Sequence, residues 1–380
     1  MSGQTIVVLG GGLGGVVAAN ELRSRLKEQA RTVLIDRSPR QSFPPSYLWV
    51  MTGDRRPEAI TRDLTRLERR GIEVVAGEVR RIDLARRTVA VDEQEIGYDE
   101  LIVALGAELA PDAVPGLAGA HTFYTLEGAE RLRDALPSFE GGRIALVVAG
   151  LPYKCPAAPY EGAMLLESYF HRRHLRHKVE IAIYTAEPAP LPVTGPALGE
   201  RVQELLAHKG IAFHPKQQLA AVEDGELRFQ DGSTAPFDLL VAVPPHRAPQ
   251  VVRDSGLADE SGWVPVDQHT LGTKQEGVFA IGDVTRIALP DGMALPKAGV
   301  FAHSEAEVVA RNIAARISGQ TTRERFTGTG SCFLEAGGGA AGIAQGDFYA
   351  DPRQISMRSP SPLWHWQKVA FERYWLWKWY

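Results

Sequence analysis

Two cysteines, Cys155 and Cys332, are the side chains of this 380-residue chain with the most chemistry to offer. A thiolate is a nucleophile and a metal ligand. Two thiols fall short of the about four ligands of a cysteine-only zinc or iron–sulfur site, and they exclude a disulfide-stapled scaffold. Cys155 stands in Leu151-Pro152-Tyr153-Lys154-Cys155-Pro156, just ahead of a helix expected to start near Pro156, because proline suits a first helical turn. A helix N-terminus and the adjacent Lys154 would both favour its thiolate. Cys332 lies far along the chain, in Gly330-Ser331-Cys332-Phe333-Leu334. By residue type alone, three readings stand. The pair is two buried thiols packing as small apolar groups, or a redox pair, or a structural disulfide closing a loop of roughly 180 residues, which stabilises by about 5 kcal/mol in the chain-entropy model. Glu161, near the start of the same helix, is suited to moving a proton or to an ordinary place near the positive end of the helix dipole. His171, His174 and His177 recur every third residue among Arg172, Arg173, Arg176 and Lys178. They read as a solvated basic face rather than a zinc or relay cluster, and no metal site is expected.

The second constellation is glycine. Gly10, Gly12 and Gly15 form G-x-G-x-x-G within Gly10-Gly11-Gly12-Leu13-Gly14-Gly15, after the apolar run Thr5–Leu9 and before a helical stretch. Such a loop lets backbone approach a pyrophosphate and aims free helix N–H groups at it. Asp36 follows 21 residues after Gly15, at the end of the next apolar run, where an acid binds ribose hydroxyls and disfavours a 2′-phosphate. Two further strands end in compact turns, Tyr98–Gly106 and Gly277–Asp283. Open α/β sheets bind ligands at such carboxyl ends.

Elements that position these residues alternate between apolar strand and helix, which implies an α/β fold with parallel sheets. A polar segment from Arg55 to Arg70 reads as a helix with an exposed face, and short β pieces near Val74, Val79 and Val89 as a meander. A second α/β block opens near Arg143. Its first strand, Arg143–Val148, is followed by Ala149-Gly150-Leu151-Pro152, with one glycine and with prolines that remove backbone donors. A pyrophosphate finds little to bind there, so NAD(P)H is not expected as electron donor. Expected boundaries are a discontinuous dinucleotide domain at 1–110 and 270–325, a second Rossmann-like domain at 111–269 and a C-terminal segment at 326–380.

Hydrophobic residues make up 44% and charged residues 23%, a globular profile, and the net charge of −4 gives no support to nucleic acid as a partner. No apolar run is long enough to span a membrane. No basic, cleavable leader is seen ahead of the first strand, so the cytoplasmic side is the expected location. Five of the seven tryptophans fall between Trp364 and Trp379, interleaved with Lys368, Arg373 and Lys378. Aromatic-plus-basic segments of this kind settle in membrane interfaces without crossing them. Docking on the core or on a second copy of the chain is the alternative.

The three strand-and-turn segments, in this order, resemble the flavoproteins with two dinucleotide-binding domains, of the pyridine nucleotide–disulfide oxidoreductase type. The likeness covers most of residues 5–325. It implies FAD, held by Gly10, Gly12, Gly14, Gly15, Asp36, Gly106, Gly282 and Asp283, with Pro296-Lys297-Ala298-Gly299 at the pyrimidine edge of the flavin. Leu13, Arg37, Pro44, Val79, Ala104, Lys297 and Gly299 join the expected cofactor contacts. Lys154-Cys155-Pro156-Ala157-Ala158-Pro159-Tyr160-Glu161 further resembles sulfide:quinone oxidoreductases and the flavoprotein subunit of flavocytochrome c sulfide dehydrogenases, as does Phe43-Pro44-Pro45 with Gly53.

That resemblance implies a Cys155/Cys332 redox pair beside the flavin. Sulfide would attack their bridge, leaving a persulfide and a thiolate that hands two electrons to FAD, with Glu161 moving protons and sulfur leaving as polysulfide or elemental sulfur. Many sulfide:quinone oxidoreductases carry a third cysteine before this motif; residues 98–150 have none. The tail resembles the quinone-reducing members. It makes Phe333, Trp364, Lys368, Phe371, Trp375 and Lys378 the expected quinone or membrane contacts, with peripheral association at an inner membrane and possible homo-oligomers. The competing readings are a flavocytochrome-type subunit feeding a protein partner, a type II NADH dehydrogenase and a non-enzymatic flavin redox sensor.

Overall fold

The computed structural model describes residues 3–321 and 323–380; Met1 and Ser2, where the N-terminal reading begins, and Thr322 lie outside the described residues. The chain runs β1 (Gln4–Leu9), α1 (Leu13–Leu26), β2 (Ala30–Asp36), β3 (Glu73–Ala76), β4 (Glu100–Val103), β5 (Gly142–Val148), α2 (Ala158–Arg172), β6 (Val179–Thr185), α3 (Pro196–His208), β7 (Ile211–His214), β8 (Leu239–Val243), β9 (Val278–Ala280), α4 (Gly299–Ile317), β10 (Thr329–Gly337), β11 (Ala340–Asp347), β12 (Gln354–Ser361) and α5 (Pro362–Lys378), with short 3₁₀ turns and antiparallel ribbons between.

Two parallel sheets form the α/β body. The first has the order β9-β4-β1-β2-β3. The second has the order β7-β6-β5-β8. Their central strands are apolar on both sides because helices cover one face and antiparallel ribbons, 79–97 in the first block and 219–236 in the second, cover the other: Ile6, Val7, Val8 and Leu9 of β1 are fully buried, as are Leu146 and Val147 of β5. Strand β9, far along the chain, pairs with β4 and so returns the Gly282-Asp283 turn to the first sheet. The third sheet, β10-β11-β12, is antiparallel and turns its first hairpin through Gly337, Gly338 and Gly339, all with positive φ.

Residues 55–70 differ from the helix expected there. Pro57–Ile60 makes one helical turn, Thr61–Asp63 pairs as a strand with Arg40–Ser42, and Leu64–Arg70 is a 3₁₀ helix. The buried Ile60, Leu64 and Leu67 have helical spacing, which misleads. Asp63 restarts the chain by accepting the Thr65 N–H at 2.9 Å.

Candidate active site

The glycine loop has the shape of a dinucleotide cradle. Gly10 sits at φ +99°, and a Cβ there would lie 2.4 Å from the Ala104 carbonyl oxygen; a Cβ on Gly15 would lie 1.8 Å from the Gly10 carbonyl oxygen. These two glycines make the turn and the helix packing possible. Gly14 packs α1 against α4, its Cβ position 3.2 Å from the Ala302 oxygen, and a Cβ on Gly299 would collide with Leu13 at 2.5 Å. Gly12 and Gly106, by contrast, face open space, with nothing nearer than 3.8 Å and 4 Å respectively. The open side of the cradle is thus where the N-terminus of α1 points. The Asp36 carboxylate closes one flank, accepting the Gly11 N–H at 2.6 Å and the Ser38 N–H at 2.8 Å. Arg37 and Pro44 are exposed nearby, and Val79 is half-buried in the meander. These residues fit FAD, which supplies a two-electron carrier when bound.

At the end of β9, burial raises the Asp283 carboxyl, while Lys154 and Lys297 oppose the rise. Lys297, expected at the flavin edge, donates to the carbonyls of Asp283 at 2.7 Å and Thr285 at 2.8 Å, and stands 3.5 Å from the centre of the Trp263 ring. Burial pulls its ammonium down to about 8. Glu305, which sequence reasoning missed, lies beneath this turn on α4 and accepts the Gly282 N–H at 2.6 Å; burial lifts it to about 7.

The two cysteines meet through three elements. Cys155 precedes α2, Cys332 lies on β10, and α5 lays Lys368 between α2 and β10. Cys155 adopts φ +50°, a region costing a non-glycine residue about 1–3 kcal/mol. It is held there by its N–H donating to the Lys297 carbonyl at 2.6 Å, and by its own carbonyl accepting the Ala158 N–H at 2.9 Å and the Tyr124 hydroxyl at 3.3 Å. Both thiols are free. The acidified thiolate expected at Cys155 is not found: burial, then the Glu161 and Cys332 charges, push it well above its ordinary range, against Lys368 and the Ala158 N–H. Cys332 is open to solvent on one side, yet the protein around it pushes its thiol up to about 11.

Glu161 stands in the first turn of α2, as expected, and is buried there. One of its oxygens accepts the Lys368 ammonium at 3.1 Å and the Glu335 N–H at 2.9 Å. Lys368 also lies 3.8 Å from the Glu335 carboxylate, and His365 Nδ1 lies 3.1 Å from it. Burial alone would lower Lys368, but Glu161 and Glu335 outweigh it and raise it. Lys368, read in sequence as one cation of a surface-seeking tail, is thus the buried counter-ion of the cysteine site. Glu335 and His365 gave little warning, although a lone acid inside Phe333-Leu334-Glu335-Ala336 was a signal.

The remaining tail residues divide. Trp375 is buried 5.1 Å from Phe43, and Phe371 bridges Phe43 at 6.3 Å and Phe333 at 6.5 Å. Phe333 follows Cys332 along β10 and so leaves the strand on its opposite face. Trp364 is half-buried under Arg358, and Lys378 lies over the Trp379 ring at 4.3 Å. The groove lined by His171, His174, His177 and His208 lies apart from the cysteines, between α2 and α3. No group able to hold a metal occurs among the described residues.

Over 396 residues the chain is 28% identical to the sulfide-quinone reductase of Aquifex aeolicus, covering 98% of this chain and 90% of that one. It is 27% identical to the mitochondrial sulfide:quinone oxidoreductase of Mus musculus over 363 residues, covering 91% and 79%. The solved structure of the sulfide:quinone oxidoreductase from Aquifex aeolicus matches with a TM-score of 0.90 at 26% identity, covering 99% of this chain and 91% of that one. Residues 4–306 match the family described as pyridine nucleotide-disulphide oxidoreductase, and the chain belongs to that family.

Proposed function

We propose that this chain is an FAD-dependent sulfide:quinone oxidoreductase. The observation that carries the reading is the cysteine site: two thiols from distant parts of the sequence share the Glu161–Lys368 ion pair at the end of a parallel sheet. Its relatives are named for sulfide and quinone. In the overall reaction, HS⁻ loses two electrons and a proton and leaves as S⁰, and the quinone takes up two electrons and two protons to become a quinol. HS⁻ attacks one sulfur of the oxidised Cys155–Cys332 bridge; an S–S bond forms to give a persulfide, and the other cysteine leaves as a thiolate. Lys368 stabilises the negative charge, and Glu161 takes the proton. FAD, when bound in the Gly10–Gly15 cradle, would supply the two-electron acceptor. Phe333 and Phe371, which keep exposed surface and pack at 6.5 Å, offer an apolar site for a quinone ring.

The outer face of α5 carries Leu363, Trp366, Tyr374 and Trp377, all exposed, and its seat is a membrane surface. No helix among the described residues is long and apolar enough to cross a membrane. The test is anaerobic mixing of the FAD-loaded protein with sulfide, then with a short-chain quinone. Sulfide bleaches the flavin absorbance, the quinone restores it, and NADH does neither. Bleaching by NADH and not by sulfide would sink the reading.

A further inference from the structure

The second α/β block keeps an acid where a dinucleotide-binding block holds a ribose. In the first block that place is Asp36, at the end of β2, and its carboxylate meets backbone N–H groups only. In the second block β6 runs beside β5 as β2 runs beside β1, and Glu187 lies two residues beyond its last residue, Thr185. Glu187 is buried. One of its carboxylate oxygens accepts the Tyr153 hydroxyl at 2.9 Å, the Tyr160 hydroxyl at 3.1 Å and the Thr185 hydroxyl at 3.4 Å. Tyr153 lies two residues before Cys155, and Tyr160 lies in the first turn of α2. The Tyr153 hydroxyl also stands 3.3 Å from the carbonyl of Pro156, the residue after Cys155. The side chains that bracket the strained Cys155 thus end on a single carboxylate.

We infer that Glu187 is a positioning residue for Cys155, bracing its turn from inside through Tyr153 and Tyr160. The acid that a nucleotide-binding second block would present to a ribose is turned instead to holding a thiol in place. The catalytic half of this inference rests on the function proposed above; the geometric half does not.

The test uses the full-length, FAD-loaded protein carrying Glu187→Ala, Glu187→Gln or Tyr153→Phe, the last keeping the buried ring and removing one hydroxyl. Flavin reduction by sulfide and reoxidation of dithionite-reduced flavin by a short-chain quinone are timed separately. Misplaced nucleophiles lose rate steeply, so Glu187→Ala should slow the sulfide step about ten- to a hundred-fold. Tyr153→Phe should slow it less. Glu187→Gln, which can still accept a hydroxyl proton, should restore most of it. Reoxidation should be unchanged in all three. Equal slowing of both half-reactions, or no slowing in any variant, overturns the inference. Alkylation of Cys155 by iodoacetamide in a Cys332→Ala background reads the brace without sulfide. A rate that shifts with Glu187→Ala and returns with Glu187→Gln supports the brace even if sulfide proves not to be the substrate; a rate indifferent to both overturns it.

Discussion

Replacing Cys155 or Cys332 by serine removes one sulfur while changing side-chain volume little, so the fold should persist and the chemistry should stop. Sulfide should no longer bleach the flavin of either variant in anaerobic stopped-flow mixing, a loss of at least about a hundred-fold. Bleaching at the native rate in both would remove the cysteines from the reaction. Lys368 is a different kind of residue. Two buried carboxylates, Glu161 and Glu335, depend on its ammonium, and taking one partner from a buried ion pair leaves a charge uncompensated. Lys368→Met should cost about 3–5 kcal/mol, read as a lower urea midpoint. Glu305 contributes a pH dependence of opposite origin. Burial lifts its carboxyl from 4.5 to about 7, so the folded state binds its proton more tightly than the unfolded state does. Its contribution is fully present below the unfolded value and is lost as pH rises through about 7. Thermal unfolding of Glu305→Gln, compared with the unaltered protein across this window, should show that loss flattened.

At the scale of elements, legibility followed locality. The run Thr5–Leu9, the glycine loop and the helix after it are contiguous, and each signals itself: a buried strand by unbroken apolar residues, a phosphate turn by glycine, a helix by its period. The Arg55–Arg70 segment has a helix-like polar face, but the pairing of Thr61–Asp63 with Arg40–Ser42 is a contact that local composition does not register. Helix α5 was half legible. Its aromatic and basic content pointed to an interface, but the same helix has a second face, with Lys368, Val369, Glu372, Trp375 and Leu376 buried. The outer face alternates Leu363, Trp366, Tyr374 and Trp377 at helical spacing. On that division, Trp366→Ser together with Trp377→Ser should weaken flotation with anionic vesicles by about ten-fold or more, as the lost apolar burial implies. The rate of flavin reduction by sulfide in detergent solution should stay unchanged, because neither ring faces the cysteines.

For the molecule as a whole, the site is a meeting of segments that share no local signal: the turn before α2, strand β10 and helix α5. A sequence read by period and motif supplies each segment, but it cannot supply the ion pairs Lys368–Glu161 and Lys368–Glu335 that join α5 to α2 and β10 across the fold. Through these contacts the tail is a structural part of the enzyme as well as its proposed membrane contact. Trp375 packs on Phe43 at a tilt of 40°, His365 meets Trp49 edge-on at 5.7 Å, and Asn20 of α1 donates to the Trp379 carbonyl at 3.2 Å. Ending the chain before Pro362 therefore strips Lys368 from two buried carboxylates and uncovers Phe43 and Trp49 together. The truncated protein should bind a hydrophobic dye, unfold at a lower temperature and lose sulfide-dependent bleaching. A detachable anchor would behave otherwise: the shortened chain would leave vesicles, keep its native melting temperature and go on reducing its flavin with sulfide. The paired tryptophan variant provides the contrast, since it changes only the outer face. If truncation and the paired substitution gave the same soluble, active protein, the buried face of α5 would have no part in holding the site.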